Sequence, residues 1–329
     1  MYHDIGLFQR YSKNPILIPK SSNPWESKAV FNCSTLNYGK EIKMLYRAVG
    51  EYKYYISRVG YAFSIDGYHF ERKDEPVIDI SENYEKFGIE DPRITRIGED
   101  IFITYVVLSD YFKNKPRVSS ALATTKNFKE YSKLGLISSE CEDNKDIVFF
   151  PEKFTFKETS TNKKISMYVS LQRPSEFIGP QYGTEKPSIW IYKGTTYKSM
   201  NNHLILMKPE QEWESIKIGA GPSPIKTKKG WLLIYHGVDQ YKVYRAGAAI
   251  LDLEDPSKLI AKTNMPILEP VEPYEKFGDV NNVVFPTGTA ILDGKLFLYY
   301  GGADKVCCVA TADLDTLLEY TLNASSLSK

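Results

Sequence analysis

The feature that most constrains this chain of 329 residues is a short strand that recurs along its length. Five apolar segments carry a tyrosine at or near their end, about every 60 to 65 residues: 44–47, 102–105, 166–169, 232–236 and 296–300. After four of them, a second segment begins with Arg or Lys and continues into small and apolar residues: 58–62, 117–121, 245–249 and 305–309. Self-similarity at a fixed period indicates repeated supersecondary units. The sequence therefore predicts about five copies of a strand–turn–strand unit.

Turn residues between the apolar segments support this interpretation. Asp66-Gly67, Lys229-Gly230 and Asp293-Gly294 each lie where a hairpin turn is needed. Helical periodicity is nearly absent, and only residues 314–322 could form a short helix or, equally, the last strand. We therefore predict an all-β chain folded as a five-bladed β-propeller, with residues 1–329 as one domain. A pair of two-sheet sandwiches is the alternative.

Composition excludes several classes of partner. Lys and Arg number 42 against 41 Asp and Glu, so the net charge of +1 gives no field to hold nucleic acid or an anionic membrane. There is no apolar run long enough to span a bilayer and no signal-peptide pattern, so we expect a cytoplasmic protein. The four cysteines show no zinc-binding spacing, and we expect them to be reduced and no metal to be bound. The 24 tyrosines fit strands and a carbohydrate-binding surface.

Two insertions are predicted to be long surface loops. Residues 153–164 are rich in lysine and poor in apolar residues, and residues 173–188 contain three prolines and two glycines. Long loops in compact domains are usually functional. We expect the second loop to influence which substrate is accepted.

Polar residues at the ends of apolar strands are the candidates for chemistry, because one end of the inner strands of a propeller opens on the central channel. Asp91, in the segment Gly-Ile-Glu-Asp-Pro-Arg-Ile-Thr, lies in a turn made rigid by proline, with Arg93 close enough to influence its ionisation. It could serve as a positioned general acid or as half of a surface ion pair.

Three basic side chains at strand ends could form an anion site. Arg173 ends one strand, Lys217 precedes a run rich in glycine and proline, and His236 ends the next strand. Separately, each would be an ordinary solvated or hydrogen-bonded side chain. Asn32, Arg47 and Asp304 lie at other strand ends and supply the hydrogen-bonding groups that sugar hydroxyls need.

The ordered motifs along the chain resemble glycoside hydrolase family 130. They span nearly the whole chain, from Asn14 to Asp304: NPIL, GIEDPRIT, NKD followed by FPEK, RP, KIGAGPSP, YHG, VVFPTG and YGGAD. The resemblance implies a five-bladed propeller that cleaves β-mannosides, mostly by inverting phosphorolysis that releases α-mannose 1-phosphate. The linkage (β-1,2 or β-1,4) and the acceptor sugar stay open. It implies inorganic phosphate as co-substrate and no other cofactor, and it leaves homo-oligomerisation open.

The resemblance also assigns roles to individual residues. Asp91 matches the catalytic acid, and Arg173, Lys217 and His236 match the phosphate-binding residues. The mannosyl subsite is matched by Asn32, Arg47, Arg93, Tyr244 and Asp304.

Cys33 stands where Pro commonly follows Asn32 in the family, a departure without functional weight. Two departures concern the anion site: Gln172 stands where many members have His, and Asp143 stands where some phosphorylases have Arg. An acidic residue there would repel phosphate if it pointed inward. Two alternatives therefore stay open. One is an inverting β-mannosidase in which Asp143 or Glu142 activates water. The other is a carbohydrate-binding propeller without catalysis.

Overall fold

Each of the five predicted repeats forms an antiparallel sheet of four or five strands, and the sheets are the blades of a five-bladed β-propeller. The structure is a computed structural model, and it describes residues 6–112, 115–138, 143–157 and 162–324. The recurring apolar segments are the second strands of the blades, and the segments that begin with a basic residue are the third strands. The turn residues named above occupy the predicted hairpins.

The strands of each blade run outward from the channel in the order given, except that blades 3 and 4 each have one additional short strand. Blade 1 contains β2 (Ala29–Tyr38), β3 (Glu41–Val49), β4 (Ser57–Ser64) and β5 (Glu71–Arg72). Blade 2 contains β6 (Ile89–Ile97), β7 (Asp100–Phe112), β8 (Lys115–Thr125) and β9 (Ser132–Leu136). Blade 3 contains β10 (Asn144–Phe149), β11 (Phe154–Lys157), β12 (Lys164–Pro174), β13 (Ile189–Gly194) and β14 (Asn202–Met207). Blade 4 contains β15 (Lys217–Ala220), β16 (Ile225–Thr227), β17 (Gly230–Val238), β18 (Tyr244–Leu251) and β19 (Leu259–Lys262). Blade 5 contains β20 (Val284–Leu292), β21 (Lys295–Gly302), β22 (Val306–Asp313) and β1 (Gln9–Arg10). The additional strands are β11, which pairs with β12, and β16, which pairs with β17, each beside the innermost strand.

Helices are short and lie between or beyond the blades. Single 3-10 turns cover Pro24–Glu26, Asn83–Glu85, Pro180–Tyr182 and Glu212–Glu214, and the α-helices are α1 (Pro273–Lys276) and α2 (Leu314–Ala324). The C-terminal segment, for which helix and strand were both open, is therefore helical. Among the described residues, no helix is long and apolar enough to cross a membrane.

The ring is closed by the N-terminal strand. Strand β1 pairs antiparallel with β22, with Gln9 opposite Thr311 and Arg10 opposite Ala310. The fifth blade thus takes its outermost strand from the other end of the described chain.

Strands in the middle of a blade are apolar on both faces because each blade packs between two neighbours. In β17, Trp231 and Leu233 pack in the core shared with blade 3, whereas Leu232 and Ile234 pack in the core shared with blade 5. Successive side chains of a strand point to opposite faces, so a doubly covered strand is apolar throughout. This explains the uninterrupted apolar segments of the sequence.

A buried glutamate explains why the tyrosines recur. In four blades, a glutamate at the end of the short helix before the innermost strand accepts a hydrogen bond from the tyrosine of the second strand. In blade 4, Tyr235 donates to Glu214 at 2.9 Å, and Lys262 of the outermost strand pairs with the same carboxylate at 2.5 Å. The other three clusters are Glu26–Tyr46–Arg72, Glu85–Tyr105–Lys133 and Glu275–Tyr300–Arg10. Each cluster ties three segments of a blade together.

The sequence predicted a surface loop for residues 153–164, but part of this insertion forms a strand. Its first part is strand β11, which pairs with β12, and Phe154 packs edge-to-face on Phe150 with 5.4 Å between ring centres. Two alternating aromatic residues, Phe154 and Phe156, give this lysine-rich segment an apolar side. Residues 158–161 lie outside the described structure.

The thiols of Cys33, Cys307 and Cys308 are free and buried, whereas Cys141 lies outside the described residues. No group of three or more His, Cys, Asp or Glu side chains that could hold a metal ion occurs in the part of the chain that the structure describes.

Candidate active site

Three β-bulges place polar side chains at corresponding positions of successive blades. The innermost strands of blades 1, 2 and 3 each shift register, and at each shift one residue has a left-handed backbone. These residues are Asn32 (φ 50°), Asp91 (φ 50°) and Asp146 (φ 57°). Asn and Asp adopt this conformation more readily than other residues with a side chain, and a bulge redirects the side chain that it carries. All three side chains line one cavity in the central channel.

This cavity has a volume of about 190 Å³ and gathers eight of the nine predicted site residues: Asn32, Arg47, Asp91, Arg173, Lys217, His236, Tyr244 and Asp304. The sequence did not single out its other lining residues: Glu90, Lys145, Asp146, Val280, Val283 and Phe285. Its walls carry several acids and bases and few apolar groups, which suits a polar ligand that carries charge.

Asp91 is oriented by two neighbours on one side of the cavity. Its Oδ1 atom accepts a hydrogen bond from Asn32 Nδ2 at 2.8 Å and lies 3.4 Å from Arg47 Nη1. Arg47 is itself paired with Glu90 at 2.5 Å and stacks over Phe31, 4.9 Å from the ring centre. The Oδ1 atom of Asn32 and the Nε atom of Arg47 are buried and have no hydrogen-bond partner among the described residues. Buried polar atoms without partners are rare and mark a place where a ligand can bind.

Asp304 lies on the same side of the cavity and is not fully ionised at neutral pH. Burial raises its pKa to about 7, against the opposing effect of the Arg47 charge, and the carboxylates of Asp91 and Glu90 add to the rise. A carboxyl group in this state can both donate and accept a hydrogen bond. It therefore suits a sugar hydroxyl, which also does both.

Basic residues occupy the other side of the cavity. Arg173 donates from Nε to Asp146 Oδ2 at 2.6 Å, and the described residues offer its two Nη groups no hydrogen bond. The Lys217 ammonium has neither a hydrogen bond nor an ion pair within the described chain, and it lies 5.2 Å from the ring centre of Tyr244. Burial, together with the neighbouring Arg173 charge, lowers the pKa of Lys217 to about 8. Lys145 adds a third basic side chain to this wall.

His236 differs from the sequence-based expectation of a third cation. It is 1% exposed, and burial lowers its pKa to about 3 in spite of Asp146, whose Oδ2 lies 3.8 Å from Nε2. The imidazole is therefore neutral in the unliganded protein. Its buried Nδ1 atom has no partner among the described residues, so it can exchange a hydrogen bond with a ligand.

Arg93 and Tyr244, which the resemblance assigned to the mannosyl subsite, do not lie beside Asn32 and Arg47 in the structure. Arg93 does not line the cavity: its Nη2 donates to Asp146 at 2.9 Å, and its Nη1 donates to the carbonyl oxygens of Ala220 and Gly221. It thus ties blades 2, 3 and 4 together beneath the cavity. Tyr244 does line the cavity, but it lies beside Lys217 on the basic side.

The departures from the family pattern prove to be away from the cavity wall. Gln172 accepts a hydrogen bond from Asn144 at 2.6 Å and donates one to Ser170 at 3.0 Å, all within blade 3. Asp143 does not line the cavity, although it is close enough to raise the pKa values of Arg173 and Lys217. Glu142 lies outside the described residues.

The loop of residues 173–188 contributes only Arg173 to the cavity wall. Its tip is held against the outer part of blade 3, where Phe177 stacks on Tyr182 with 4.7 Å between ring centres and packs edge-to-face on Trp190. The expected influence of this loop on substrate choice stays a prediction.

Comparison with known proteins gives consistent matches over the whole chain. Residues 5–323 match the model of the glycoside hydrolase 130 family, described as beta-1,4-mannooligosaccharide phosphorylase. The chain is 41% identical to a 1,2-beta-oligomannan phosphorylase from Thermoanaerobacter sp. (strain X514), over 93% of this chain and 97% of that one. It is 30% identical to a beta-1,4-mannooligosaccharide phosphorylase from Ruminococcus albus, over 97% and 92%. Among solved structures, the beta-1,2-mannobiose phosphorylase of Listeria innocua, in complex with beta-1,2-mannobiose, has a TM-score of 0.82 and 29% identity, covering 95% of this chain and 99% of that one.

Proposed function

The chain belongs to the glycoside hydrolase 130 family, and we propose that it cleaves β-1,2-linked mannosides by inverting phosphorolysis to release α-mannose 1-phosphate. It is an enzyme that uses inorganic phosphate to break β-mannosidic bonds. The linkage, the stereochemistry and the roles of individual residues are the proposal.

The basic wall is the observation that carries phosphorolysis. A partly buried ammonium without a partner (Lys217), a guanidinium with two unbonded Nη groups (Arg173) and an unpartnered imidazole nitrogen (His236) converge on one cavity. A phosphate dianion offers acceptor oxygens and charge to all three groups. Burying these groups without an anion would leave cations poorly solvated.

Phosphate is its own nucleophile, so the reaction needs only one protein acid. Asp91 is that acid in our proposal: it provides the proton that the leaving sugar oxygen takes up, and Asn32 and Arg47 hold its carboxyl group in place. Binding phosphate beside the sugar converts the attack into a unimolecular step. An inverting hydrolase would need a second carboxylate free to activate water. Among the other carboxyl groups that line the cavity, Glu90 is paired with Arg47, Asp146 is paired with Arg173 and Arg93, and Asp304 lies on the same side as Asp91.

The β-1,2 linkage rests on the comparisons. The relative that acts on 1,2-linked oligomannan is 41% identical to this chain, and the one that acts on 1,4-linked oligosaccharides is 30% identical. Asn32, Arg47 and Asp304 are then assigned to the mannosyl unit that is transferred.

A substrate panel tests the proposal. Purified protein is incubated with β-1,2-mannobiose, β-1,2-mannotriose, β-1,4-mannobiose or mannosyl-glucose, with and without phosphate, and the products are identified by ¹H and ³¹P NMR. We expect α-mannose 1-phosphate from the β-1,2 substrates only when phosphate is present. Release of mannose without phosphate would identify a hydrolase, a β-phosphate product would exclude inversion, and faster cleavage of β-1,4-mannobiose would overturn the linkage.

A further inference from the structure

Asp146 is the third of the three bulge residues and has no role in the mechanism above. It follows Asn32 and Asp91 in blade order and shares their left-handed backbone, but it lies on the basic side of the cavity. A carboxylate at this place needs an explanation, because a negative charge beside a phosphate site opposes phosphate binding.

The contacts of Asp146 connect it to three site groups at once. Its Oδ2 accepts from Arg173 Nε at 2.6 Å, its Oδ1 accepts from Arg93 Nη2 at 2.9 Å, and His236 Nε2 lies 3.8 Å from Oδ2. The side chain is 4% exposed. Burial alone would raise the pKa of Asp146, but the Arg173 guanidinium holds it well below its usual range, so the group is ionised.

The geometry allows little movement around this carboxylate. A side chain on Gly219 would overlap both the Asp146 carboxylate and the His236 ring, so only glycine fits at that place in blade 4. The contact with Arg173 is made through Nε, and neither Nη group has a hydrogen bond to the described residues, so their donors stay available to a ligand. A guanidinium fixed through Nε can hold a tetrahedral anion with its remaining donors.

We propose that Asp146 is a positioning residue for phosphate: it fixes the Arg173 guanidinium and the neighbouring His236 so that their free donors meet the nucleophile. The inference rests on the proposed function. It makes a prediction opposite in sign to that of simple electrostatics. If Asp146 acted only through its charge, removing that charge would strengthen phosphate binding. If it positions Arg173, removing it weakens phosphate binding.

The test is Asp146→Asn, with initial rates measured against phosphate at saturating β-1,2-mannobiose and against mannobiose at saturating phosphate. An asparagine amide has one acceptor oxygen where Asp146 has two, so it cannot accept from both Arg173 and Arg93, and it removes the charge-assisted contact that fixes the Arg173 guanidinium. We expect the KM for phosphate to rise about tenfold or more, because the loss of a charge-assisted hydrogen bond typically weakens binding by about this factor. The KM for mannobiose should change less than about threefold. A KM for phosphate that is unchanged or lower would overturn the proposal.

A matched control separates positioning from loss of stability. Glu85→Gln removes another buried carboxylate that is bonded to a cation and a hydroxyl, in a cluster that does not line the cavity. We expect it to lower the thermal unfolding temperature and to leave both KM values unchanged. If Glu85→Gln raises the KM for phosphate as Asp146→Asn does, the effect is general destabilisation and the proposal fails.

A second variant covers the case in which Asp146→Asn does not fold. Gly219→Ala keeps every charge but displaces the Asp146 carboxylate and the imidazole, and we expect the same selective rise in the KM for phosphate. An unchanged KM in that variant would overturn the proposal. The rise in unfolding temperature caused by phosphate, measured without mannoside, should shrink in either variant and gives a readout that needs no turnover. If the wild-type enzyme itself consumes no phosphate, the proposed function fails instead, and the two failures are distinguishable.

Discussion

The ionisation of Lys217 should make phosphate binding fail at alkaline pH. Burial lowers the pKa of this lysine to about 8, so its charge is lost well below the pH at which an exposed lysine loses it. In our proposal the ammonium contacts phosphate, and a neutral amine would not attract the dianion. The affinity for phosphate is therefore expected to fall as pH rises through 8, whereas binding of the uncharged mannoside does not depend on this group.

The size of the effect follows from the fraction of enzyme that carries the charge. With a pKa of about 8, Lys217 is about nine-tenths protonated at pH 7 and about one-tenth protonated at pH 9. If only the protonated form binds phosphate, the apparent KM for phosphate rises about tenfold between pH 7 and pH 9. Initial rates of mannose 1-phosphate formation at saturating mannobiose, measured over a phosphate series at each pH, give this value.

Lys217→Arg is the control, because a guanidinium stays charged throughout this range. The titration of phosphate itself affects both proteins equally, so the comparison isolates the lysine. We expect the KM of the variant for phosphate to change less than about twofold between pH 7 and pH 9, whatever its value at pH 7. An equal rise in both proteins, or no rise in the wild type, would refute the reasoning.

Three further expectations concern other parts of the molecule. Asp91→Asn should reduce turnover about 100-fold or more, while mannoside still raises the unfolding temperature of the variant. If the variant keeps about a tenth of the wild-type rate or more, Asp91 is not the catalytic acid. Asp304→Asn should unfold at a higher temperature than the wild type at pH 8, and this difference should disappear towards pH 4. Because the carboxyl pKa is raised to about 7 in the folded protein, the wild type loses stability as pH rises from about 4 to 7, whereas the asparagine variant has no proton to lose there. Equal unfolding temperatures at pH 8 would contradict this. Tyr235→Phe should lower the free energy of unfolding, measured by chemical denaturation, by about 1 to 3 kcal/mol, because the buried Glu214 carboxylate loses a hydrogen bond. Neither KM should change.

The fold was predictable because the same packing problem recurs in every blade. The second strands are covered on both faces, and in four blades the tyrosine of this strand binds a buried glutamate, so apolar runs that carry a tyrosine repeat along the chain. A second repeat in the sequence also marks the blades. An aromatic residue followed by glutamate, as in Trp25-Glu26 and Tyr274-Glu275, occurs at the start of four blades. It marks the short helix whose carboxylate the tyrosine binds.

Parts of the site could not be predicted from residue order. A β-bulge leaves no composition signal when Asp or Asn takes the left-handed conformation, so Asp146 received no role although it stands in the NKD motif. The charge of His236 depends on burial among residues from several blades, and the chain around it does not encode that burial locally. Arg93 stands in the right motif, yet its backbone register turns it beneath the cavity.

The order of the blades in the chain gives the two sides of the candidate active site different origins. Blades 3 and 4, which follow one another in the chain, supply Arg173, Lys217 and His236, the residues to which we assign phosphate. The side assigned to the sugar joins Asp304 of blade 5 to Asn32 of blade 1, across the junction where Val30 N–H donates to the Lys305 carbonyl at 3.1 Å. Separation of blades 5 and 1 would therefore alter the spacing of the groups that we assign to the sugar and leave those that we assign to phosphate in place. In our proposal, a change that separates blades 5 and 1 should therefore weaken mannoside binding more than phosphate binding.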